Sequence, residues 1–289
     1  MNTENKYMNK NIFQNILASI TICILTFTFT GCPPKEIKRE EPKPAPPVTE
    51  FKKTGSADMF FRVANLDLKR YSKKIEKKDI ERFAATMKKE KVDMLAVQTI
   101  VRYPGLSSRI DVYDELGKST GMYDEFGETI SLSGRQTGNA IFSTYPIHGN
   151  ENIAYTELKS LDFEAALLAS IDAGTRSVLV TSTRIPATAT ETEALSCLKA
   201  IVKRKQTYAD APLIILGNII HPKSQQAVED LHEPLEYNEV KWEQGDESGT
   251  FPFWFSAGDL QVVKSNVVNT DLGLSLVVEF KLIGQKPKE

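Results

Sequence analysis

Cysteine is scarce in this sequence: the chain has three in 289 residues, at positions 23, 32 and 197. Cys23 lies inside an apolar amino-terminal segment and Cys32 follows it, so removal of that segment with modification of Cys32 leaves one free thiol, Cys197. No intrachain disulfide can then form, even in an oxidising compartment. Apolar residues at helical spacing surround Cys197, which predicts a small buried side chain there.

Histidine is equally scarce, and the motifs of several common active sites are missing. His148, His221 and His232 lack the close pairwise spacing that zinc sites use, so no metal site is predicted from them. His221 directly follows a predicted strand and stays a candidate functional residue, with an ordinary loop histidine as the alternative. There is no glycine-rich phosphate loop, no Gly-x-Ser-x-Gly elbow between a predicted strand and a helix, and no Cys/His nucleophile arrangement.

A surplus of basic residues is also missing. The chain has 36 Lys and Arg against 38 Asp and Glu, a formal net charge of -2 at pH 7. Removal of residues 1–31, which contain Lys6, Lys10 and Glu4, changes this to about -3. Proteins that bind nucleic acid usually have net positive charge that neutralises phosphates. The composition therefore disfavours nucleic acid as a partner, although it allows a local basic face.

The amino-terminal segment has the parts of a secretory signal peptide. Lys6 and Lys10 precede residues 12–29, which have no charged side chain, and small residues lead to Cys32. This order resembles a bacterial lipobox, with Phe29 where leucine is usual, and the resemblance implies lipid on Cys32 and attachment to a membrane. A transmembrane anchor is the alternative, since about 18 apolar residues only just span a bilayer. We therefore expect a cell-envelope protein, and Pro33 after the cysteine slightly favours the outer membrane.

The sequence is therefore predicted to have three segments. Residues 1–31 form the predicted lipoprotein signal peptide. Residues 32–57 are rich in proline and charge with little apolar surface to bury, which predicts an extended, semi-rigid tether. Residues 58–284 are long enough for one α/β domain with a sizeable core.

The stretch from Leu213 to Pro222 predicts the position of a site. Its first four residues are apolar and Gly217 follows them, a pattern typical of a buried strand. Ligands in α/β sheets lie just beyond the carboxyl ends of strands. Gly217, Asn218 and Ile220 are therefore predicted to lie at a functional site.

The remaining pattern predicts a mixed two-sheet α/β fold. Further strands are expected at 59–64, 92–97, 138–147, 166–171, 177–180, 260–263 and 274–282, and helices at 78–90, 107–117 and 190–204. Thr190 and Glu193 match a capping box at the start of the last helix. Phe251, Phe253, Trp254 and Phe255 form an aromatic cluster that is expected to pack in the core, with an exposed binding patch as the alternative.

Six short stretches each resemble a sequence motif of one superfamily, and they occur along the chain in the order of those motifs. They are the strand ending in Asn65, Asp93–Ile100, Gly138–Ser143 with Tyr145-Pro146-Ile147, Val178–Ile185, Leu213–Pro222 and Thr270–Ser275. Together they resemble the endonuclease/exonuclease/phosphatase superfamily of metal-dependent phosphodiesterases, over roughly Met59 to Leu282. The resemblance implies a four-layer α/β/β/α sandwich and, in intact members, hydrolysis of phosphodiesters with Mg²⁺.

Most catalytic residues that the resemblance implies are replaced. The superfamily's glutamate ligand falls on Thr99, its two histidines on Arg184 and Leu272, and its Asp-x-Asn pair on Asn218 and Ile220. Two implied positions keep their residue type, Asn65 and Asp271, and the region Pro252–Ser256 has no carboxylate where an Ile-Asp pair is implied. Mg²⁺ requires oxygen ligands, above all carboxylates. We therefore expect a catalytically degenerate domain, without a metal or cofactor.

The surviving polar residues predict a binding pocket instead. Asn65, Arg184, Asn218 and Asp271 are the candidate ligand-binding residues, because a guanidinium can bind phosphate or carboxylate without catalysis. The alternative for Arg184 is a buried ion pair, for example with Asp271.

Two functions remain open at this point. The first is a non-catalytic binding module at the envelope, with an unknown protein or small molecule as partner. The second is an active Mg²⁺-dependent phosphodiesterase, nuclease or phosphatase with altered ligands, for which Asp67, His221 and Asp259 are candidates. A pair of carboxylates at the ends of the Asn65, Thr99 and Asn218 strands would favour the enzyme. A cleft that contains Arg184, Ile220 and Leu272 would favour the binding module.

Overall fold

The computed structural model describes residues 57–70, 74–105, 109–156, 158, 164–208, 211–219, 235–245 and 247–284. The predictions for the signal peptide, Cys32 and the tether up to residue 56, and those for Ile220, His221 and His232, lie outside the described residues.

Within the described residues the domain has twelve strands and three α-helices. The strands are β1 (Met59–Asp67), β2 (Met94–Arg102), β3 (Tyr123–Leu132), β4 (Arg135–Ser143), β5 (Ile147–Ala154), β6 (Ala165–Asp172), β7 (Ser177–Ile185), β8 (Leu213–Ile219), β9 (Leu235–Gln244), β10 (Glu247–Ser256), β11 (Leu260–Thr270) and β12 (Gly273–Leu282). The helices are α1 (Lys77–Lys89), α2 (Val112–Thr120) and α3 (Glu191–Lys205), with short 3₁₀ turns at Leu68–Arg70 and Gln206–Tyr208.

The strands form two six-stranded sheets of similar design. Sheet A has the order β11-β12-β1-β2-β4-β3 and sheet B the order β5-β6-β7-β8-β10-β9. Each sheet has one parallel pair at its centre, β1 with β2 in sheet A and β7 with β8 in sheet B. The carboxyl ends of these four strands lie at one edge of the sandwich, which is where the candidate site is found.

Three apolar clusters fill the spaces between four layers. The largest lies between the sheets and includes Phe61, Met94, Leu216 and Phe280. A second packs α1 and α2 on the outer face of sheet A, and a third packs α3 on the outer face of sheet B. The layer order is therefore α/β/β/α, as expected from the sequence. Cys197 is a buried free thiol of the α3 layer, which confirms its predicted role as a small apolar residue.

The helix predicted at 107–117 is placed differently in the structure. It begins at Val112, after Asp111, whose side chain accepts a hydrogen bond from the backbone N–H of Asp114. It continues past Gly117 and ends at Gly121, which has a left-handed φ of 71°. A glycine therefore ends the helix, as predicted, but it is Gly121 and not Gly117. For α3 the predicted capping box of Thr190 and Glu193 is confirmed.

Three strands were not predicted from the sequence, β3, β9 and β10. The strand predicted at 138–147, closed by a proline turn, corresponds to β4, which ends at Ser143 before the turn at Pro146, and Ile147 begins β5. The aromatic cluster belongs to β10, and Phe251, Phe253, Trp254 and Phe255 are all buried. This confirms their assignment to the core and excludes an exposed aromatic patch at these positions.

None of the helices in the described part of the chain is long and apolar enough to cross a membrane.

Candidate functional site

A layer of polar side chains lies directly above the apolar core between the sheets. Gln98 of β2 donates through Nε2 to Asn65 Oδ1 of β1 at 2.9 Å and to Ser182 Oγ of β7 at 3.0 Å. Ser182 in turn donates to the carbonyl oxygen of Val97, and Ser275 of β12 donates to that of Asn65, each at 3.0 Å. Neutral hydrogen bonds in this layer therefore connect the two sheets, while Gln98 Oε1 is buried without a hydrogen-bond partner among the described residues.

Asn65 belongs to this buried layer. Its side chain accepts from Gln98, its Nδ2 lies 3.4 Å from the carbonyl oxygen of Gly217, and it is 1% exposed. A Cβ at Gly217 would lie 1.8 Å from the carbonyl oxygen of Thr183 on the neighbouring β7, so a larger residue does not fit there. The sequence correctly placed Asn65 and Gly217 at the edge of the sheets. Asn65 is a connector between the sheets and is closed off from a ligand.

Asp67 is the carboxylate at the centre of the candidate site. Its Oδ2 accepts from Asn218 Nδ2 of β8 at 2.5 Å, and its Oδ1 accepts from the backbone N–H of Lys69 at 3.0 Å. Thr99 Oγ1 lies 3.3 Å from the same Oδ1, and Asp67 is 5% exposed. Three neutral donors therefore stabilise one buried carboxylate. Sequence reasoning had Asp67 only as an alternative ligand, two residues beyond the aligned asparagine.

Thr99 adopts an unusual backbone conformation. It lies in an irregularity of the β2–β4 pairing between Val97 and Ile100, and its φ is 58°. A β-branched residue in the left-handed region is strained, at a cost of about 1–3 kcal/mol. The irregularity aims the Thr99 hydroxyl toward Asp67. The position implied for a glutamate ligand therefore lies in the cleft, as predicted, with a side chain that hydrogen-bonds to Asp67.

Arg184 forms a buried ion pair, but with a different partner from the one considered. Its Nη1 contacts Glu164 Oε1, and the two side chains are 9% and 13% exposed. Glu164 directly precedes β6, which pairs with β7, so it lies beside Arg184 at the same edge of sheet B. Asp271 instead lies 3.4 Å from Arg82 Nη1 of α1. The alternative of a buried ion pair for Arg184 is therefore correct, but the partner suggested for it, Asp271, is wrong.

Arg184 nevertheless faces the cleft. It is the register partner of Asn218, and residues paired across neighbouring strands point to the same face of a sheet. Asn218 reaches Asp67 of the opposite sheet, so this face is the one between the sheets. The guanidinium Nε is buried and has no hydrogen-bond partner among the described residues.

The remaining candidates lie elsewhere. Leu272 is 1% exposed and packs in the cluster between sheet A and its helices, so it does not line the cleft. Asp259 pairs with Arg176 at 2.6 Å, and His148 pairs with Asp172 at 3.1 Å. Asp172 ends β6, whose other end carries Glu164, so both pairs belong to the end of the sandwich opposite the cleft. Asp259 is therefore not an altered ligand.

The described residues of the cleft are poorly suited to Mg²⁺. Among the described residues no group of three or more His, Cys, Asp or Glu side chains could hold a metal ion. Asp67 has its oxygens engaged by the amide of Asn218, the hydroxyl of Thr99 and a backbone N–H. Glu164, a second carboxylate that the described residues place at this edge, neutralises Arg184. A hard divalent cation would require carboxylates free to leave these partners.

Known proteins match this chain in structure and not in sequence. No family model and no curated protein matches it. An endonuclease/exonuclease/phosphatase from Beutenbergia cavernae is 18% identical with a TM-score of 0.59, over 78% of this chain and 72% of that one. A protein of the same description from Bacteroides vulgatus is 10% identical with a TM-score of 0.60, over 78% and 99% of the two chains. The human Nocturnin catalytic domain, solved with a bound sulfate anion, is 15% identical with a TM-score of 0.57, over 78% and 97%.

These identities are too low to transfer an activity, since one fold can serve several functions. The arrangement of the strands agrees with this structural similarity, because the parallel strand pairs of both sheets end at a single cleft. The chain therefore has the four-layer fold of the endonuclease/exonuclease/phosphatase proteins.

Proposed function

We propose that this chain is a lipid-anchored envelope protein whose domain does not hydrolyse phosphodiesters and instead binds a ligand or a protein partner. The observation that supports this most is the state of Asp67. Its oxygens already accept from Asn218, Thr99 and the backbone of Lys69. A general base alone contributes roughly 10²–10⁴ in rate, and here the implied ligand, base and histidines are replaced together.

The ligand class that we favour is a small anion or an anionic group. Arg184 supplies a guanidinium on the face between the sheets, with Asn218 beside it on the neighbouring strand. Guanidinium groups bind phosphate and carboxylate through two parallel N–H donors. Glu164 occupies this guanidinium in the structure, so a ligand would have to displace the Glu164 carboxylate. A bound sulfate in the structurally similar Nocturnin domain supports a search among tetrahedral anions.

The second candidate is an active phosphodiesterase with altered ligands. One observation favours it. Asp67 at the end of β1 contacts Thr99 of β2 and Asn218 of β8, although it lies two residues beyond Asn65, the position that the resemblance implies. In that case Asp67 would bind the metal ion after releasing Asn218 and Thr99.

A hydrolysis assay separates the two functions. The purified full chain is incubated with DNA, RNA and a chromogenic phosphodiester in Mg²⁺, Mn²⁺ or EDTA, beside Asp67→Asn as the matched variant. We expect no turnover above the EDTA control in either protein. Thermal unfolding shows that both samples are folded. Metal-dependent turnover that disappears in Asp67→Asn would overturn the proposal and establish the enzyme.

The anchor has its own test. Residues 12–29 and the Thr30-Gly31-Cys32 sequence support lipid attachment at Cys32. Cells that express the full chain with radioactive palmitate should label it, and Cys32→Ser should abolish the label. Cys197→Ser is the control, since Cys197 is buried in the domain and should leave labelling unchanged. Label retained in Cys32→Ser would contradict the assignment.

A further inference from the structure

We propose that one end of sheet A docks on an anionic phospholipid bilayer. This docking end consists of Arg102, Arg109, Ile130, Leu132 and Arg135. The inference goes beyond binding in the cleft and rests on the proposed envelope location only because that location brings a membrane within reach.

The first observation is an exposed aliphatic hairpin tip. β3 and β4 are joined by the two-residue turn Ser133-Gly134, which leaves Leu132 and Arg135 directly opposite each other. Leu132 is 71% exposed and Ile130 is 42% exposed. The two aliphatic side chains are two residues apart on one strand, so they point to the same face. Surface hydrophobic residues scattered singly are ordinary, but an exposed aliphatic pair at the end of a hairpin is suited to insertion between lipids.

The second observation is a group of arginines without acidic partners. Arg102 Cζ lies 4.5 Å from the ring centroid of Tyr113 and 5.1 Å from that of Phe126, and Arg109 Cζ lies 5.2 Å from that of Tyr103. Arg135 precedes Gln136, the register partner of Arg102, so Arg135 and Arg102 lie at the same end of sheet A and point to opposite faces. Within the described part of the chain, none of these three arginines forms an ion pair.

The aromatic rings hold two of these guanidinium groups in place without neutralising them. Stacking on a ring fixes the plane of a guanidinium while its N–H groups stay available for phosphate oxygens. The Nε of Arg102 is buried and lacks a hydrogen-bond partner among the described residues, so a phosphate would have to be met by the other N–H groups of this guanidinium.

The acidic side chains of the same region are engaged by neutral donors. Asp111 accepts from the backbone N–H groups of Tyr103 and Asp114, and Glu128 accepts from Gln136. Asp124 accepts from the Tyr113 hydroxyl. These carboxylates reduce the positive potential of the docking end. They do not occupy the guanidinium groups, which is what binding of phosphate requires.

The combination favours a bilayer over nucleic acid. Interfacial proteins bind anionic membranes through aliphatic side chains that enter the lipid and basic residues that meet the headgroups. Single-stranded nucleic acid would use the arginines and aromatic rings, but it offers nothing that two exposed aliphatic side chains would bury. The chain also lacks the basic surplus that nucleic-acid binding usually requires.

The predicted tether is long enough for this contact. It joins the domain at the amino-terminal end of β1, whereas the docking end lies at the carboxyl end of the parallel β2. A strand of nine residues, such as β1, is roughly 30 Å long. A proline-rich spacer of 25 residues, 33–57, can span up to about 75 Å, at about 3.1 Å per residue. The domain can therefore turn its far end to the membrane that holds the lipid.

The test uses the full chain in vesicles, with a polarity-sensitive fluorophore on Leu132→Cys. Its matched control is Val263→Cys, another aliphatic position, 50% exposed and at the other end of sheet A. The vesicles are phosphatidylcholine alone or with phosphatidylglycerol, and some contain a lipid-borne quencher. We expect a blue shift and quenching at position 132 only, and only in the anionic vesicles. Replacing Arg109 or Arg135 by Gln should lower the ratio of docked to undocked protein about fivefold for each arginine.

Other results would overturn the proposal. Equal signals at both labelled positions, or no signal in a protein that floats with the vesicles, exclude docking at this end. A signal that single-stranded DNA alone produces without vesicles would identify nucleic acid as the partner instead. Failure to float with the vesicles would contradict the lipid anchor, and turnover in the hydrolysis assay would contradict the loss of catalysis. The failures are therefore distinguishable.

Discussion

Asn218 and Asp67 are 151 residues apart in the sequence, and a hydrogen bond of 2.5 Å from the Asn218 amide nitrogen to an Asp67 carboxylate oxygen joins them across the two sheets. The aspartate implied by the superfamily resemblance at position 218 would stand against the Asp67 carboxylate. Asn218 instead presents an N–H donor where the resemblance implies an acceptor. This replacement explains how the Asp67 carboxylate is tolerated two residues beyond Asn65.

Asn218→Asp should make the fold dependent on divalent cations. Two carboxylates at this distance repel each other, and loss of the amide donor leaves Asp67 partly unsatisfied, so unfolding should become easier by about 1–3 kcal/mol in EDTA. Millimolar Mg²⁺ or Mn²⁺ should raise the Tm of this variant, as followed by thermal denaturation. Asn218→Ala is the control, since it loses the hydrogen bond without gaining a charge. Equal cation responses of the two variants would contradict this account.

Glu164→Gln should destabilise the domain and create an anion site. It leaves the Arg184 guanidinium buried without a counter-charge, which costs about 3–5 kcal/mol. Phosphate or sulfate should then raise the Tm of the variant more than chloride at equal ionic strength. Asp271→Asn removes the acid from the exposed Arg82 pair and should change the unfolding free energy by less than about 1 kcal/mol, without an anion response. An unresponsive Glu164→Gln would mean that Arg184 is inaccessible to ligands.

Thr99→Asn should stabilise the domain by about 1 kcal/mol. The φ of 58° is strained for a β-branched residue, and asparagine tolerates the left-handed region better. Thr129→Asn is the matched control, because Thr129 lies in β3 outside the set of residues with positive φ. Chemical denaturation should show opposite signs for the two variants. A loss of stability in Thr99→Asn would show that the weak hydrogen bond from Thr99 to Asp67 outweighs the strain.

Asp93→Asn should gain stability over the wild type as the pH rises. Burial raises the pKa of the Asp93 carboxyl, although the backbone N–H of Arg62 opposes this at 2.8 Å. A raised pKa favours the protonated folded form, so wild-type stability from this group is present below about pH 4 and is lost as the pH rises through the folded pKa. The difference in Tm, variant minus wild type, should therefore be larger at pH 7 than at pH 4. Glu81→Gln, on the exposed face of α1, should show no such trend.

The sequence was most informative where its patterns are local. Buried strands such as β8 and the capped helix α3 were predicted because apolar spacing and capping residues act within a few positions. The edge strand β3, the strand β9 and the first half of β10 were missed because they are largely polar. Their strand structure comes from pairing with neighbours such as β4 and β8, which a local pattern does not report.

The candidate site was also predicted only in part. The resemblance placed Asn65, Thr99, Arg184 and Asn218 at the strand ends that meet, and the structure confirms that position for each. It could not show that Glu164 would neutralise Arg184, because that contact depends on where β6 begins. Nor could it separate Leu272, on the helix side of sheet A, from residues of the cleft. Asp67 was within reach of sequence reasoning, since residues 65 and 67 of one strand point to the same face.

The pairing of β1 with both β2 and β12 has a consequence for the order of folding. Met59 is the register partner of Leu282, so the first strand of the domain has the last as a neighbour. Ser275, which completes the polar layer, belongs to that last strand. Contacts so distant along the chain close slowly, because a long loop must be ordered before they form. Sheet A therefore cannot be completed on a ribosome until nearly the entire domain has been synthesised, and until then the unpaired edge of β1 is the part that a chaperone would have to protect.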